Sequence, residues 1–357
     1  MYKILVINPG STSTKIGIYR DEEQIFVTNI HHETEEIKKY ARIIDQLDFR
    51  KALIEKALVD AGVDPTSLNA IVGRGGLVKP IVSGTYTTTD ELLRDLKAGV
   101  QGEHASNLGG LLAHELASQW GNIPSYIVDP VVVDEMEEVA RYSGHPDVPR
   151  VSIFHALNQK AIAKRYAKEN NKKYEDLNLI VVHMGGGVSV GAHEKGRVVD
   201  VFNGLDGDGA FAPERAGGLP AGGLVRVLMS GKYPDTKSAM KMIVGGGGVV
   251  AYLGTNNMIE VEKRAESGDH EAYMVREAFL YQISKDIGAM STVLKGKVDQ
   301  ILITGGVAHD KYIVEHIKER VAHIAPISVY PGEDELLALA QGGLRVLNKE
   351  EEAHIYK

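Results

Sequence analysis

Two stretches about half a chain apart share one grammar: Lys3-Ile4-Leu5-Val6-Ile7-Asn8-Pro9-Gly10-Ser11-Thr12-Ser13-Thr14-Lys15, and Leu179-Ile180-Val181-Val182-His183-Met184-Gly185-Gly186-Gly187-Val188-Ser189. Each opens with consecutive apolar residues, the mark of a strand covered on both faces. Each then reaches a polar residue, Asn8 or His183, and a turn rich in glycine or hydroxyls before a return strand. Strands of this kind need a layer on either side. The pattern therefore predicts two similar α/β halves, each starting with a strand–turn–strand unit. Two such halves leave a cleft between them, a usual place for a ligand.

The rest of the chain extends this plan. Ile16, Ile18 and Ile25 belong to two further strands, with Asp21-Glu22-Glu23 at the hairpin tip. The spacing predicts a helix from about Ile37 to Ala61, closed by Gly62. Short strands are expected at Ala70 to Val72, before Gly73-Arg74-Gly75-Gly76, at Ser125 to Val128, before Asp129-Pro130, and at Val151 to Phe154. A helix should follow from Ala156. Residues 203–223 read as a long loop, and the run Gly245 to Gly248 as a flexible one. Ala272, Val275, Phe279, Ile283, Ile287, Met290 and Leu294 recur at steps of three and four, one buried face of a long helix. Gln300 to Ile303 is a third strand, ending in Thr304-Gly305-Gly306, and Glu335 to Leu347 is the last helix. One domain is expected over 1–150, completed by 331–357, and a second over 151–330.

Composition excludes several function classes. The 357 residues carry 40 Lys+Arg against 48 Asp+Glu, a net charge of −8, with no basic block for neutralising nucleic-acid phosphates. The absence of cysteine rules out disulfides, thiolate metal sites and a thiol nucleophile. No apolar run approaches the ~18 residues of a spanning helix. The apolar run at the N-terminus is too short for a signal peptide. These features suit a cytoplasmic chain without a membrane or nucleic-acid partner. The 39 glycines beside only 12 prolines point to turns and close backbone approaches.

The two turns then become candidates for anion binding. Residues 8–15 offer backbone N–H groups, hydroxyls and one ammonium, which can wrap an anion or can simply close a hairpin. The glycines 185–187 allow a phosphate to approach the backbone, or a tight turn to form. Neither Gly-x4-Gly-Lys-Ser/Thr nor Gly-x-Gly-x-x-Gly occurs. Thr304-Gly305-Gly306 suits the nucleoside end of a nucleotide. His31-His32-Glu33 reads as surface, because adjacent strand side chains point to opposite faces. Asp206-Gly207-Asp208-Gly209 lacks the spacing of a calcium loop.

The stretch Leu5 to Lys15 resembles the first signature of the acetate/butyrate kinase family, and Leu179 to Val190 the second. The resemblance runs along essentially the whole chain. Its length and the stretch Phe211-Ala212-Pro213-Glu214-Arg215-Ala216-Gly217-Gly218-Leu219-Pro220 look closest to the butyrate branch. Where relatives place Gly-Thr before this arginine, the chain has Pro213-Glu214. The resemblance implies two actin-like (ribonuclease H-like) domains with a nucleotide cleft. It also implies reversible, direct in-line transfer of the γ-phosphoryl group of ATP to a short-chain carboxylate, giving an acyl phosphate and ADP. By the same resemblance Arg74 and Arg215 bind the acyl carboxylate and the transferring phosphoryl group. His155 donates to an equatorial phosphoryl oxygen. Asn8, Ser11, Ser13, Lys15, His183, Gly185, Gly186, Gly187, Gly305 and Gly306 hold the nucleotide. Asp129, Asn8 and one acid of Glu333-Asp334-Glu335, Glu335 in the best register, hold Mg2+. A homo-oligomer is also implied. The chemistry is consistent with two arginines, since a carboxylate is ionised at pH 7 and the barrier lies in bringing two anions together. The alternatives are a preference for acetate or branched acids, or a hydroxyl or sugar kinase with Asp129 as base. An actin-like filament or chaperone ATPase is a further one.

Overall fold

The computed structural model describes residues 1–357. They form two compact units, Met1–Val133 with Asp334–Lys357, and Asp134–Glu333. Residues 134–150 belong with the second unit: the Glu137 amide donates to the Val199 carbonyl, and Arg150 pairs with Asp200 and Asp208.

The first unit holds a mixed sheet of β1 (Lys3–Pro9), β2 (Ser13–Arg20), β3 (Glu23–His31), β4 (Ala70–Arg74), β5 (Thr85–Thr87) and β6 (Ser125–Val128), in the order β3-β2-β1-β4-β6-β5. The second holds β7 (Asn178–Met184), β8 (Val188–Glu194), β9 (Arg197–Val201), β10 (Gln300–Gly305) and β11 (Ile327–Pro331), in the order β11-β10-β7-β8-β9. The plan repeats. A first strand has an antiparallel return and a third antiparallel strand on one side, and two parallel strands on the other. Asn8 pairs with Lys15 and His183 with Ser189, so both polar residues stand one place before the end of their strand.

Burial explains the apolar runs. Ile4 to Ile7, Leu179 to Val182 and Ile301 to Ile303 have no exposed surface. Ile180 and Val182 share a core with Phe279, Ile283 and Ile287 of the helix His270–Val293. Leu179 and Val181 join Ala163 and Tyr166 of the helix Ala156–Glu169 on the opposite face. In the first unit the helix Asn107–Gln119 lies so close to β4 that the two backbones nearly touch. A Cβ on Gly73 would overlap the Gly109 carbonyl, and one on Gly109 would overlap the Arg74 carbonyl. The glycines beside Arg74 thus serve strand–helix contact.

Several local expectations change. The segment expected as one helix from Ile37 to Ala61 is a single turn Thr34–Ile37, a 3-10 turn Ile43–Gln46 and a helix Leu47–Asp60. Asp45 accepts the Arg42 amide at 3.0 Å and starts the chain afresh there. Val151 to Phe154 forms no strand and runs as a loop into the helix that His155 caps. His32 is not on the surface. It is 5% exposed, bonds Thr14 Oγ1 at 2.8 Å and lies edge-on to Phe49. Burial, helped by Arg50 and His31, pushes it down to about 4. The run Gly245 to Gly248 is a packed return: Gly248 has φ of 76°, and a Cβ there would overlap the Ala212 carbonyl. No helix is long and apolar enough to cross a membrane.

The Gly73–Gly109 approach yields a stability prediction. Gly109→Ala should cost about 1–3 kcal/mol through overpacking. The urea midpoint should fall while the m-value stays at wild type.

Candidate active site

In the first unit, the carboxyl ends of β1, β4 and β6 lie side by side, and each delivers one predicted residue: Asn8, Arg74 and Asp129. This edge of a parallel sheet is where ligands usually bind, because strand ends release side chains into a crevice. Arg74 Nη1 pairs with Glu335 Oε1 at 2.6 Å and donates to Asn8 Oδ1 at 3.3 Å, and Asn8 Nδ2 donates to Glu335 Oε2. Glu335 is the first residue of the helix Glu335–Leu347, whose cap is Asp334 through the Leu337 amide. Asp129 is 3% exposed with φ of 37°, an uncommon backbone state outside glycine. Its Oδ1 accepts from Ser83 Oγ at 2.7 Å and the Gly84 amide at 2.8 Å. Asp129, Glu335 and the Asn8 amide oxygen form an oxygen-only donor set, the type a hard cation prefers.

The turn between β1 and β2 places Ser11 and Lys15 in solvent and Ser13 half-buried. It rests on Arg50, which is 1% exposed and was not singled out in the sequence. Arg50 Nη1 donates to the carbonyls of Gly10 (2.8 Å) and Ser13 (3.1 Å) and to Thr14 Oγ1. Its Nη2 donates to the Ser11 carbonyl at 3.2 Å, and Gln46 takes the remaining bonds. No carboxylate pairs with this guanidinium, and burial lowers its pKa to about 10. Gln46 and Arg50 stand one helical turn apart in the sequence, a spacing that pairs their side chains but does not say what covers them.

In the second unit, His183 and the glycines 185–187 close the β7–β8 hairpin, with the Gly185 amide donating to the Gly187 carbonyl at 2.8 Å. Arg215 lies against this turn: a Cβ on Gly187 would overlap its guanidinium. No carboxylate forms an ion pair with Arg215. Burial pushes its pKa down, with Glu214 pulling it back. The loop carrying it is held from the helix His270–Val293, where Asp286 accepts the Ala210 amide at 2.6 Å and Gln282 the Phe211 amide at 3.3 Å. Open space surrounds Gly186, and likewise Gly306. Gly305, with φ of 95°, exchanges backbone bonds with Gly332 and packs so tightly on Met184 that no Cβ fits. His155 caps its helix by accepting the Asn158 amide at 3.4 Å, and its Nε2 lies 3.3 Å from Glu333 Oε2. His183 Nε2 lies 3.6 Å from the same oxygen. Asn158, also missed in the sequence, bonds His183 Nδ1 through its Oδ1 at 2.8 Å. Its place three residues after a helix-capping histidine was the available clue.

The profile of the Acetokinase family matches residues 147–354, more than half of the chain. This chain belongs to the Acetokinase family. Over 357 residues, all of both chains, it is 60% identical to a protein named butyrate kinase 1 from Clostridium acetobutylicum. It is 56% identical to butyrate kinase 2 of the same organism, over 100% of this chain and 99% of the relative. The crystal structure of acetate kinase from Porphyromonas gingivalis superposes with a TM-score of 0.80, covering 97% of this chain and 100% of that one at 19% identity. That likeness is one of fold. The two-domain actin-like α/β class implied by the family resemblance is therefore the fold of this family member.

For this acetokinase-family chain the brace on the Arg215 loop carries a pH signature. Burial pushes Asp286 up from its ordinary 3.8 to about 7, against the Ala210 amide, with the Asp208 charge adding to the rise. The folded state thus holds this proton more tightly than the unfolded chain. Its stabilising contribution is complete below 3.8 and is lost as pH rises to about 7. In urea titrations across that range, Asp286→Asn should lose less stability than wild type. Parallel losses would assign the slope to other groups.

Proposed function

We propose that the chain transfers the γ-phosphoryl group of ATP reversibly to a short-chain fatty acid, butyrate foremost, giving butyryl phosphate and ADP. The observation that carries the reading is the Arg215 guanidinium, half-buried against the Gly187 turn with no carboxylate in an ion pair with it. A partly desolvated guanidinium that forms no ion pair keeps hydrogen-bond donors for an incoming anion. The choice of butyrate rests on relatives bearing that name at 56% and 60% identity over the full chain.

The acceptor needs no base, being already an anion. The task is to align two anions and neutralise the charge that builds up, which is how phosphoryl transfer is generally catalysed. Arg215 supports the transferring group with paired N–H donors. Arg74 takes the acyl carboxylate. Its partner is Glu335, so a carboxylate that takes the same guanidinium competes with that side chain. His155 donates from Nε2 to a phosphoryl oxygen. Asn8, Ser11, Ser13, Lys15, His183 and Gly185 to Gly187 line the phosphates with side-chain and backbone donors, and Gly306 leaves room for the nucleoside beside Gly305, whose missing side chain makes way for the Met184 backbone. Asp129 and Glu335, with Asn8, would hold Mg2+, which shields phosphate charge when bound. A hydroxyl acceptor is not favoured, because the full-length relatives at 56% and 60% identity are named for a carboxylate substrate. We further read the chain as a cytoplasmic homo-oligomer. The exposed apolar residues Val225, Met229 and Met240 on the helices Ala221–Met229 and Thr236–Ile243 support self-association.

Incubation with ATP, Mg2+, hydroxylamine and a series of C2 to C5 acids should yield acyl hydroxamate, most rapidly from butyrate. No product with any acid would remove the reading. Arg215→Ala and Arg74→Ala should each lower kcat about 10²–10³-fold, as loss of a preorganised donor does elsewhere. Wild-type rates in both would reject their roles.

A further inference from the structure

His155, His183 and Glu333 converge within the second unit. Their three ligating atoms all lie within 4.8 Å of one another, and the rings stand 4.3 Å apart between centroids. The nitrogen-to-oxygen spacings are 3.3 and 3.6 Å. An ion with tetrahedral bonds of ~2.0–2.1 Å sets its ligand atoms ~3.3 Å apart, so two edges of such a site are already drawn. Asn158 fixes the chemistry further. Its Oδ1 can only accept, so Nδ1 is the donor to it and Nε2 is the ring atom presented towards Glu333. In the neutral ring this nitrogen has the lone pair that a cation ligates, and the Glu333 oxygen beside it supplies the counter-charge. An oxygen acceptor behind the imidazole is also the usual support of a metal-bound histidine. Glu333 is 40% exposed at its side chain, so the point is open to solvent.

We propose that His155, His183 and Glu333 bind a nitrogen-preferring divalent transition-metal ion of the Zn2+ or Co2+ type, separate from the Mg2+ taken with ATP. Imidazole nitrogen suits these ions, whereas Mg2+ prefers oxygen throughout. Three protein ligands leave a fourth position for water or an anion's oxygen. Binding at His155 Nε2 moves the ring proton to Nδ1 and gives up the Asn158 amide bond there, already long at 3.4 Å. Because the proposed function uses both histidines at the phosphoryl group, an ion held between them inhibits transfer. That consequence rests on the functional reading, while binding itself does not.

The test is a Co2+ titration of the nucleotide-free full-length protein, read by visible d–d absorption, followed by Zn2+. One Co2+ per chain should bind with the intense bands of a tetrahedral site and leave on Zn2+ addition. His183→Gln and Glu333→Gln should abolish the bands, Asn158→Leu should weaken binding about 10–100-fold, and Arg74→Ala should leave it unchanged. Weak octahedral-type bands, or tetrahedral bands that persist in both His183→Gln and Glu333→Gln, would overturn the site. A kinase assay separates the two readings. Normal transfer without tetrahedral Co2+ removes the metal site alone. Tetrahedral Co2+ without acid phosphorylation removes the function and leaves the site. Zn2+ inhibition that excess Mg2+-ATP does not relieve supports both.

Discussion

Behind the first hairpin of each sheet lies a guanidinium with no carboxylate to neutralise it. Arg50 supports the turn after β1, and Arg215 lies against the turn after β7. Removing a charge from water without a counter-charge costs several kcal/mol, so such groups persist only where their surroundings repay them. The two are compensated differently. Arg50 spends its donors on three carbonyls, a hydroxyl and Gln46, which makes it a brace with a fixed positive field. Arg215 retains donors, and its loop is held from behind by Asp286 and Gln282. Donors and dipoles fixed before a ligand arrives need no reorganisation when it does.

One scaffold used twice therefore carries two chemistries. The residue before the end of the first strand is an amide in one sheet and an imidazole in the other, at matching positions in the ladder. Around Asn8 stand Arg74 and Glu335, and Asp129 at the neighbouring strand end adds a further oxygen. Around His183 stand a second imidazole, an amide that orients it, and a glycine turn. The sheet supplies equivalent places, and the side chains decide whether a hard cation, a phosphate or a softer ion is favoured there.

The strands were readable because their signal is local. Ile4 to Ile7, Leu179 to Val182 and Ile301 to Ile303 are apolar throughout and buried throughout. The helix register of Val275 to Leu294 was equally plain, since its apolar stripe faces one core. What stayed hidden depends on partners distant in sequence. Arg50 looks like any helical surface arginine until β1 and β2 fold over it. His32 looks like half of an exposed pair until Thr14 and Phe49 enclose it. The run at Gly245 to Gly248 has the composition of a flexible loop, but the Ala212 carbonyl fills the space of a Gly248 side chain, and Gly246 and Gly247 press on the Lys241 and Met242 carbonyls. Asn158 carries no recognisable motif, and its importance comes from touching two histidines at once.

Gly73 and Gly109 constrain how this chain can diverge. Gly73 leaves room for the Gly109 carbonyl and Gly109 for the Arg74 backbone, so enlarging either one alone drives the new atom into a main-chain group that cannot rotate aside. Changing both only doubles the collision. Drift at these two sites is therefore blocked in single and paired steps alike. A route out would require sliding the whole helix Asn107–Gln119 outward, which would shift the strand end that presents Arg74.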